Sequence, residues 1–382
     1  MEEILVNILS RLPVKSVVRF NCVSKFWNTL ISHPYFRKKH LNHAKNQARS
    51  QKLLSFYCPN DADDNNRLHF YSYSLSLVQL VKDIRVVDCP SNSNPSDGFE
   101  VYCSCDGLFL IGIWTEPHVE QPSVVLIWNP STRESIVLPH SKFNNDDDDD
   151  DEFRSTYGLG YDSISDDYKI FRLVMTKDGQ NKNEIFALKN NSWRIIEETS
   201  SLDGTDCSMY SGGEFLPFVD GAFHWLGISS KLSAVSFNIS SEVYRDIPLP
   251  EIVCYLTLSR FEYDVKIEVD VGLTVLAGML GLYYKDDNFF NLWVMEDKHG
   301  SSWMKLFTIP SYGIYRVIPT YTFSDYQMLL CFQLDSTTRS RFVYRIISVG
   351  SFGLNNQIWP LDHDAKDGIV YTESLIFPKL GQ

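Results

Sequence analysis

Over residues 1–45 the large apolar side chains recur at helical spacing, and from residue 53 onward they alternate in short runs. Ile4, Leu5, Ile8, Leu9 and Leu12 form one stripe and predict a helix over Met1–Leu12. Pro13 stops it. Val14–Cys22, with Val17, Val18 and Phe20, predicts a second short helix. Ser24 is placed to cap a third, whose apolar positions are Phe26, Trp27, Leu30 and Ile31, and Pro34 is expected to end it. Helices of two or three turns are marginal alone, and ~45 residues build little core. Two readings stay open: a helical cap on the next domain, or a docking unit whose surplus apolar side chains await a partner.

Asn46–Lys52 (NQARSQK) is polar and reads as a linker. Beyond it a loose repeat appears: a Gly-marked strand, a second strand, a polar turn and a third strand. Copies start near Asp106, Gly158, Asp220, Gly278 and Met328, and LLSFY (Leu53–Tyr57) with HFYSYSL (His69–Leu75) supplies a sixth. The spacing is roughly 50–60 residues, near that of a propeller blade. Stacking blades in a ring buries faces that one blade leaves open. A mainly β fold with a small α N-terminal domain follows, the body being a β-propeller of about six blades; open sheets are the alternative. Closure predicts that the strand around Ile369–Phe377 pairs near Leu53–Phe56.

Charge divides the chain the same way. Net charge is −13, but Met1–Asn46 carries eight Lys/Arg against two Asp/Glu, leaving 27 basic and 46 acidic side chains beyond it. A head of +6 on a body of −19 points to different partners and argues against a grip on nucleic-acid phosphates. None of the eight cysteines forms a C-x-x-C pair, and Cys103-Ser-Cys105 reads as core packing on one strand face. No apolar run reaches the ~18 residues that span a bilayer, and no basic-then-apolar leader opens the chain. A reducing setting, cytoplasm or nucleus, is the expectation.

No catalytic or metal-binding motif stands out in the sequence. His33, His40 and His43 lack cysteines at zinc spacing, and His224 beside Trp225 reads as a core or rim histidine. Asn144–Glu152 (NNDDDDDDE) lacks the turn glycine and spaced ligands of a calcium loop, so it reads as a solvated loop. No G-x-S-x-G, P-loop or H-E-x-x-H occurs. At Gly300, a propeller glycosidase's Asp-box would need an acid where Lys298 stands. The expectation is no enzyme, no cofactor and no metal.

The run EEILVNILSRLPVKSVVRFNCVSKFWNTLISHPYF resembles the F-box, the three-helix motif that docks on the adaptor of SCF ubiquitin ligases. The resemblance implies adaptor contacts from Ile4, Leu5, Ile8, Leu9, Leu12, Pro13, Val17, Cys22, Val23 and Trp27. The family's usual Leu-Pro pair would precede Glu2, whereas this sequence begins at Met1, so the expectation is either weaker adaptor binding or a misassigned start. The segments IWNPSTRESIVLP, YGLGYDSISDDYKIFRLV, DGAFHWLG and FNISSEVYRDIPLP resemble the F-box-associated domain (type 1) of plant F-box/kelch-repeat proteins. That family includes S-locus and immune-receptor-turnover members. Its kelch double glycine is kept here only at Gly212-Gly213.

The resemblance implies an F-box at 1–45, a linker at 46–52 and a kelch-like propeller at 53–378. It implies a substrate receptor of an SCF-type, cullin-based ligase: the F-box binds the adaptor, and through it the cullin, and the propeller binds a target protein. The target is expected at the long segments Asp61–Arg67, Ser91–Gly98, Asn144–Glu152 and Ser200–Gly213. No nucleic acid and no membrane span are expected. The alternatives are a propeller scaffold uncoupled from the ligase and a glycan-binding or hydrolytic propeller.

Overall fold

The computed structural model describes residues 2–57, 69–75, 85–87, 98–115, 121–141, 154–175, 183–196, 208–209, 216–228, 232–254, 270–296, 302–323, 327–334, 342–348, 357–358 and 368–381. The chain opens with α1 (Glu2–Leu9), α2 (Val14–Phe20), α3 (Lys25–Ser32) and α4 (Pro34–Lys45). Glu2 and Glu3 sit in the first turn of α1, where negative charge favours the helix dipole. Ser24 caps α3 as expected, its Oγ accepting from the Trp27 N–H at 3.3 Å.

The expected three helices are four. The third helix stops before Pro34 as expected, but Pro34 is also the first residue of α4, where its missing N–H has no partner to lose. His33 closes α3 and opens α4, its Nδ1 accepting from the Tyr35 N–H at 3.2 Å. His40 on α4 is buried, with Nε2 2.8 Å from the Leu12 carbonyl, and this fastens α4 to the α1–α2 connection. Burial lowers its pKa, more than the carbonyl offsets. The expected linker is also structured: Ala48–Ser50 is a 3₁₀ turn, and Gln51 and Lys52 already belong to the first strand.

The strands follow in order. The first sheet holds β1 (Gln51–Tyr57), β2 (His69–Ser74) and β3 (Arg85–Val87). The second holds β4 (Gly98–Cys105), β5 (Leu108–Trp114), β6 (Val124–Asn129) and β7 (Glu134–Val137). The third holds β8 (Arg154–Asp162), β9 (Asp167–Met175), β10 (Glu184–Ala187) and β11 (Ser192–Ile195). In the fourth, β12 (Ser208–Met209) and β13 (Phe218–Val219) both pair with β14 (Ala222–Ile228), followed by β15 (Leu232–Asn238) and β16 (Val243–Ile247). The fifth holds β17 (Asp270–Leu276), β18 (Met279–Lys285), β19 (Phe289–Met295) and β20 (Trp303–Pro310). The sixth holds β21 (Arg316–Thr322), β22 (Gln327–Gln333), β23 (Phe342–Ser348) and β24 (Gln357–Ile358), and β25 (Gly368–Thr372) returns to the first. These six antiparallel sheets are the blades of a β-propeller.

The expected closure is present. Leu53 faces Val370 and Leu54 faces Ile369, so both ends of the chain share one sheet. The pairing stops at Thr372, and residues 373–377 take a different course.

The turns explain the Gly-marked repeat. Asp106-Gly107, Asp220-Gly221 and Ala277-Gly278 all have positive φ at both residues, the tight hairpin turn that suits strand twist. A second recurring turn joins third and fourth strands. Arg133, Asn191 and Glu242 have φ of 63°, 49° and 56°, and each donates its N–H to the carbonyl four residues earlier.

Met1–His140 with Asp367–Gln382 forms one compact unit, and Ser141–Lys366 forms another. In the first, Phe70, Phe109, Trp128 and Tyr371 pack between two blades, with the Phe109 and Tyr371 rings edge-on at 5.1 Å. In the second, Phe171 stacks on Phe237 at 4.7 Å and on Phe223 at 5.5 Å. The second unit also buries an ion pair, Arg172–Glu184 at 2.8 Å, with Ser141 donating to the same carboxylate. Cys103 and Cys105 are half-buried instead of lying in the core, and a bulge between Val101 and Cys103 interrupts the pairing of β4 with β5 just before them.

Candidate functional site

The α1 stripe divides between two faces. Leu9 (3% exposed) and Val6 turn inward onto Val14, Val17, Leu30, Ile31 and Phe36. Ile4 (64% exposed) and Ile8 (55%) turn outward, one helical turn apart on one face. The outward set continues with Val23 after α2 and Phe26 on α3, both exposed. Trp27 is half-buried, and its ring meets Phe20 edge-on at 5.2 Å.

The ten residues implied by resemblance therefore separate. Ile4, Ile8, Pro13, Cys22 and Val23 are exposed and available to a partner. Leu5, Leu12 and Trp27 are half-buried against the helical core. Leu9 and Val17 are core residues that support the face from behind. Phe26 and Tyr35 are exposed as well, outside the set that the resemblance implies. Phe26 was legible only as one of four apolar side chains crowded into two helical turns, too many for one narrow face.

Each large apolar side chain left in water forfeits about 1.5–3 kcal/mol that burial would return. The same helices expose Arg11, Lys15, Arg19 and Lys25, so a partner surface of acidic character is favoured in encounter.

In the second unit, another apolar group stands at the strand ends of the fifth and sixth blades. Phe289, Tyr312, Tyr315 and Leu334 are exposed there. Backbone bonds hold them in place: Asp286 Oδ1 accepts from the N–H of Asn288 and Phe289, and Ser311 N–H donates to Asn288 O at 2.9 Å. Tyr315 N–H donates to Gln333 O at 3.0 Å. Most of the segments expected to hold a target lie outside the described residues: Asp61–Arg67, Asn144–Glu152, and Ser91–Gly98 and Ser200–Gly213 apart from Gly98, Ser208 and Met209. Lys298, Gly300 and the Gly212-Gly213 pair lie outside them too.

Among the described residues, Asp162 and His224 are both strongly shifted, and both serve the fold. Asp162 at the β8–β9 turn accepts from Lys169, Ser165, Ser240 and the Ile164 N–H. Burial disfavours its charge, but these donors together hold the carboxyl well below the usual range. His224 is buried in β14, and burial lowers its pKa to about 4, so it stays neutral. Among the described residues no group of His, Cys, Asp and Glu is arranged to hold a metal ion, and no helix is long and apolar enough to cross a membrane.

The family model described as "F-box domain" matches residues 2–39, and "F-box associated beta propeller domain" matches residues 42–334. The chain belongs to the F-box proteins with an F-box associated β-propeller domain. Among its relatives, F-box protein CPR1 of Arabidopsis thaliana is 29% identical over 330 residues, covering 80% of this chain and 72% of that protein. F-box/kelch-repeat protein At3g23880 of the same plant is 27% identical over 386 residues, covering 98% of this chain and 95% of that protein. An F-box joined to a propeller is the architecture of a substrate receptor, and F-box proteins in general are non-catalytic subunits. The F-box here is the helical unit whose outer face was described above.

Proposed function

We propose that this chain is the substrate receptor of an SCF-type, cullin-based ubiquitin ligase. Its F-box docks on the adaptor and its propeller holds a target protein. The observation that carries the reading is the set of apolar side chains that the F-box leaves in water: Ile4, Ile8, Val23 and Phe26 stay exposed beside a buried helical core. Such a face matches the desolvated apolar centre of a protein interface. The chain then contributes placement and no bond chemistry. A lysine of the bound target meets the activated ubiquitin at high effective concentration. The exposed group Phe289, Tyr312, Tyr315 and Leu334 is the described surface best suited to a target. Under this reading the receptor works in the cytoplasm or nucleus, which a fluorescent fusion would show.

The test is reconstitution with recombinant adaptor and cullin. Wild-type chain should co-elute with both. Ile4→Asp with Ile8→Asp should lose the adaptor while keeping the wild-type thermal transition, because both positions are solvent-facing. Full adaptor capture by the double variant would overturn the assignment of this face. If wild-type chain also failed to bind, the reading would shift to a scaffold uncoupled from the ligase.

A further inference from the structure

We propose that the C-terminal tail, Glu373–Phe377, is a strut that fixes the F-box to the first two blades, with Leu375 and Asn129 as positioning residues of the receptor. The inference rests on the receptor reading and adds a mechanical requirement to it. After β25 the chain leaves the sheet and enters the F-box. Leu375, 3% exposed, packs in one cluster with Val6, Leu9, Val14, Val17, Leu30, Ile31 and Phe36. A core of ~45 residues is short of apolar mass, and the far end of the chain supplies some of it.

The tail is clamped on both sides of that leucine. Asn129 is fully buried at the end of β6. Its Nδ2 donates to the Ser374 carbonyl at 3.1 Å and to the Ile376 carbonyl at 2.7 Å. Its Oδ1 meanwhile shapes the local turn, accepting from the Ser131 N–H at 2.8 Å. The turn needs only that oxygen: Asn238 builds the same turn, its Oδ1 accepting from the N–H of Ser240 and Ser241. The two Nδ2 bonds of Asn129 are therefore directed at the tail.

Asp106 adds a third anchor. Its carbonyl accepts from Ser374 Oγ at 2.5 Å, and its carboxylate pairs with Lys45 of α4 at 2.6 Å. Next to it, Gly107 leaves room for the crossing. A Cβ there would stand 2.5 Å from the Thr372 carbonyl and 2.6 Å from Ser374 Oγ, at a φ of +81°. Glu373 N–H donates to Ser50 O at 2.9 Å, and Arg49 donates to Arg11 O at 2.8 Å, which holds the 3₁₀ turn at the F-box exit.

A flexible tether would let a bound target sample many positions, whereas a strut restricts it to a few. The test uses the full chain with spin labels, placed as non-natural amino acids at the exposed positions Asn28 and Glu134. Wild-type chain should show one narrow distance distribution. Asn129→Ala and Leu375→Ala should each broaden it at least two-fold. Asn129→Ala leaves the F-box core intact and should capture the adaptor within two-fold of wild type. In the reconstituted ligase, the lysines that become modified on the receptor itself should spread beyond the wild-type set in this variant. A broad distribution in wild-type chain, or no broadening in Asn129→Ala, would overturn the strut. Failure of wild-type chain to capture the adaptor would instead overturn the receptor reading, because the distance measurement needs no adaptor.

Discussion

The F-box and the blades spend their apolar residues in opposite ways. In the second blade, the β5 side chains Phe109 and Ile111 are buried, and Trp128 of β6 closes over them. In the F-box, two turns of α1 bury Val6 and Leu9 and leave Ile4 and Ile8 in water. The blade is finished by its neighbour. The F-box is finished on one side by Leu375 and is left open on the other. A small helical unit between two surfaces need not be stable alone: Leu375 ties it to the far end of the chain, and its open side is the face proposed above for docking.

Removing everything after Asp367 attacks both regions together and should have the largest effect. It takes β25 from the first blade and Leu375 from the F-box. Adaptor capture and the cooperative thermal transition of the first unit should both disappear; a soluble chain with its transition intact would show that the shared sheet is dispensable.

Changing Ile4 and Ile8 to Asp breaks the comparison on the open side alone. Two apolar anchors are worth about 3–6 kcal/mol of interface, a loss of roughly 10²–10⁴ in adaptor affinity, readable by calorimetry. Leu9→Ala addresses the closed side. It should cost about 2–5 kcal/mol of stability, seen as loss of hydrogen-exchange protection over α1–α3, with blade protection unchanged.

His224 tests the blades by pH. Its folded pKa of about 4 lies below the ordinary 6.5, so the unfolded chain binds the proton first. Its contribution is complete above about 6.5 and should fall by about 3 kcal/mol as pH drops toward 4. Denaturant midpoints for His224→Phe should vary less across that window than those of wild type; parallel curves would count against a buried neutral imidazole. The smallest effect belongs to Ser24→Ala, about 1 kcal/mol through the lost cap, read as fraying of α3 alone.

Much of this arrangement was readable in the chain. Asp106-Gly107, Asp220-Gly221 and Ala277-Gly278 mark hairpins because positive φ favours those residue types, so the repeat emerged at the second strand of several blades. The strands that open the fifth and sixth blades, DVGLTVL and RVIPTYT, carry no such mark ahead of them and are not distinguished by the repeat. Pro34 marks the end of α3 as expected, but a proline also suits the first position of a helix, and α4 begins there unannounced. The division of α1 into Leu9 inside and Ile8 outside was hidden because a two-turn helix with five apolar positions has no single buried face. Leu375 was unreadable as an F-box residue, since nothing local marks an apolar side chain that packs against the opposite end of the chain.

The shared sheet also sets a schedule. On the ribosome the F-box emerges first, but β25 and Leu375 follow roughly 330 residues later, on the order of 20–60 s at ordinary synthesis rates. Through that interval the helices lack one core residue and β1 lacks one of its two strand partners. A transcript cut short anywhere before the last blade yields a chain with neither. Completion of the polypeptide thus becomes a condition for a finished F-box core and a finished first blade.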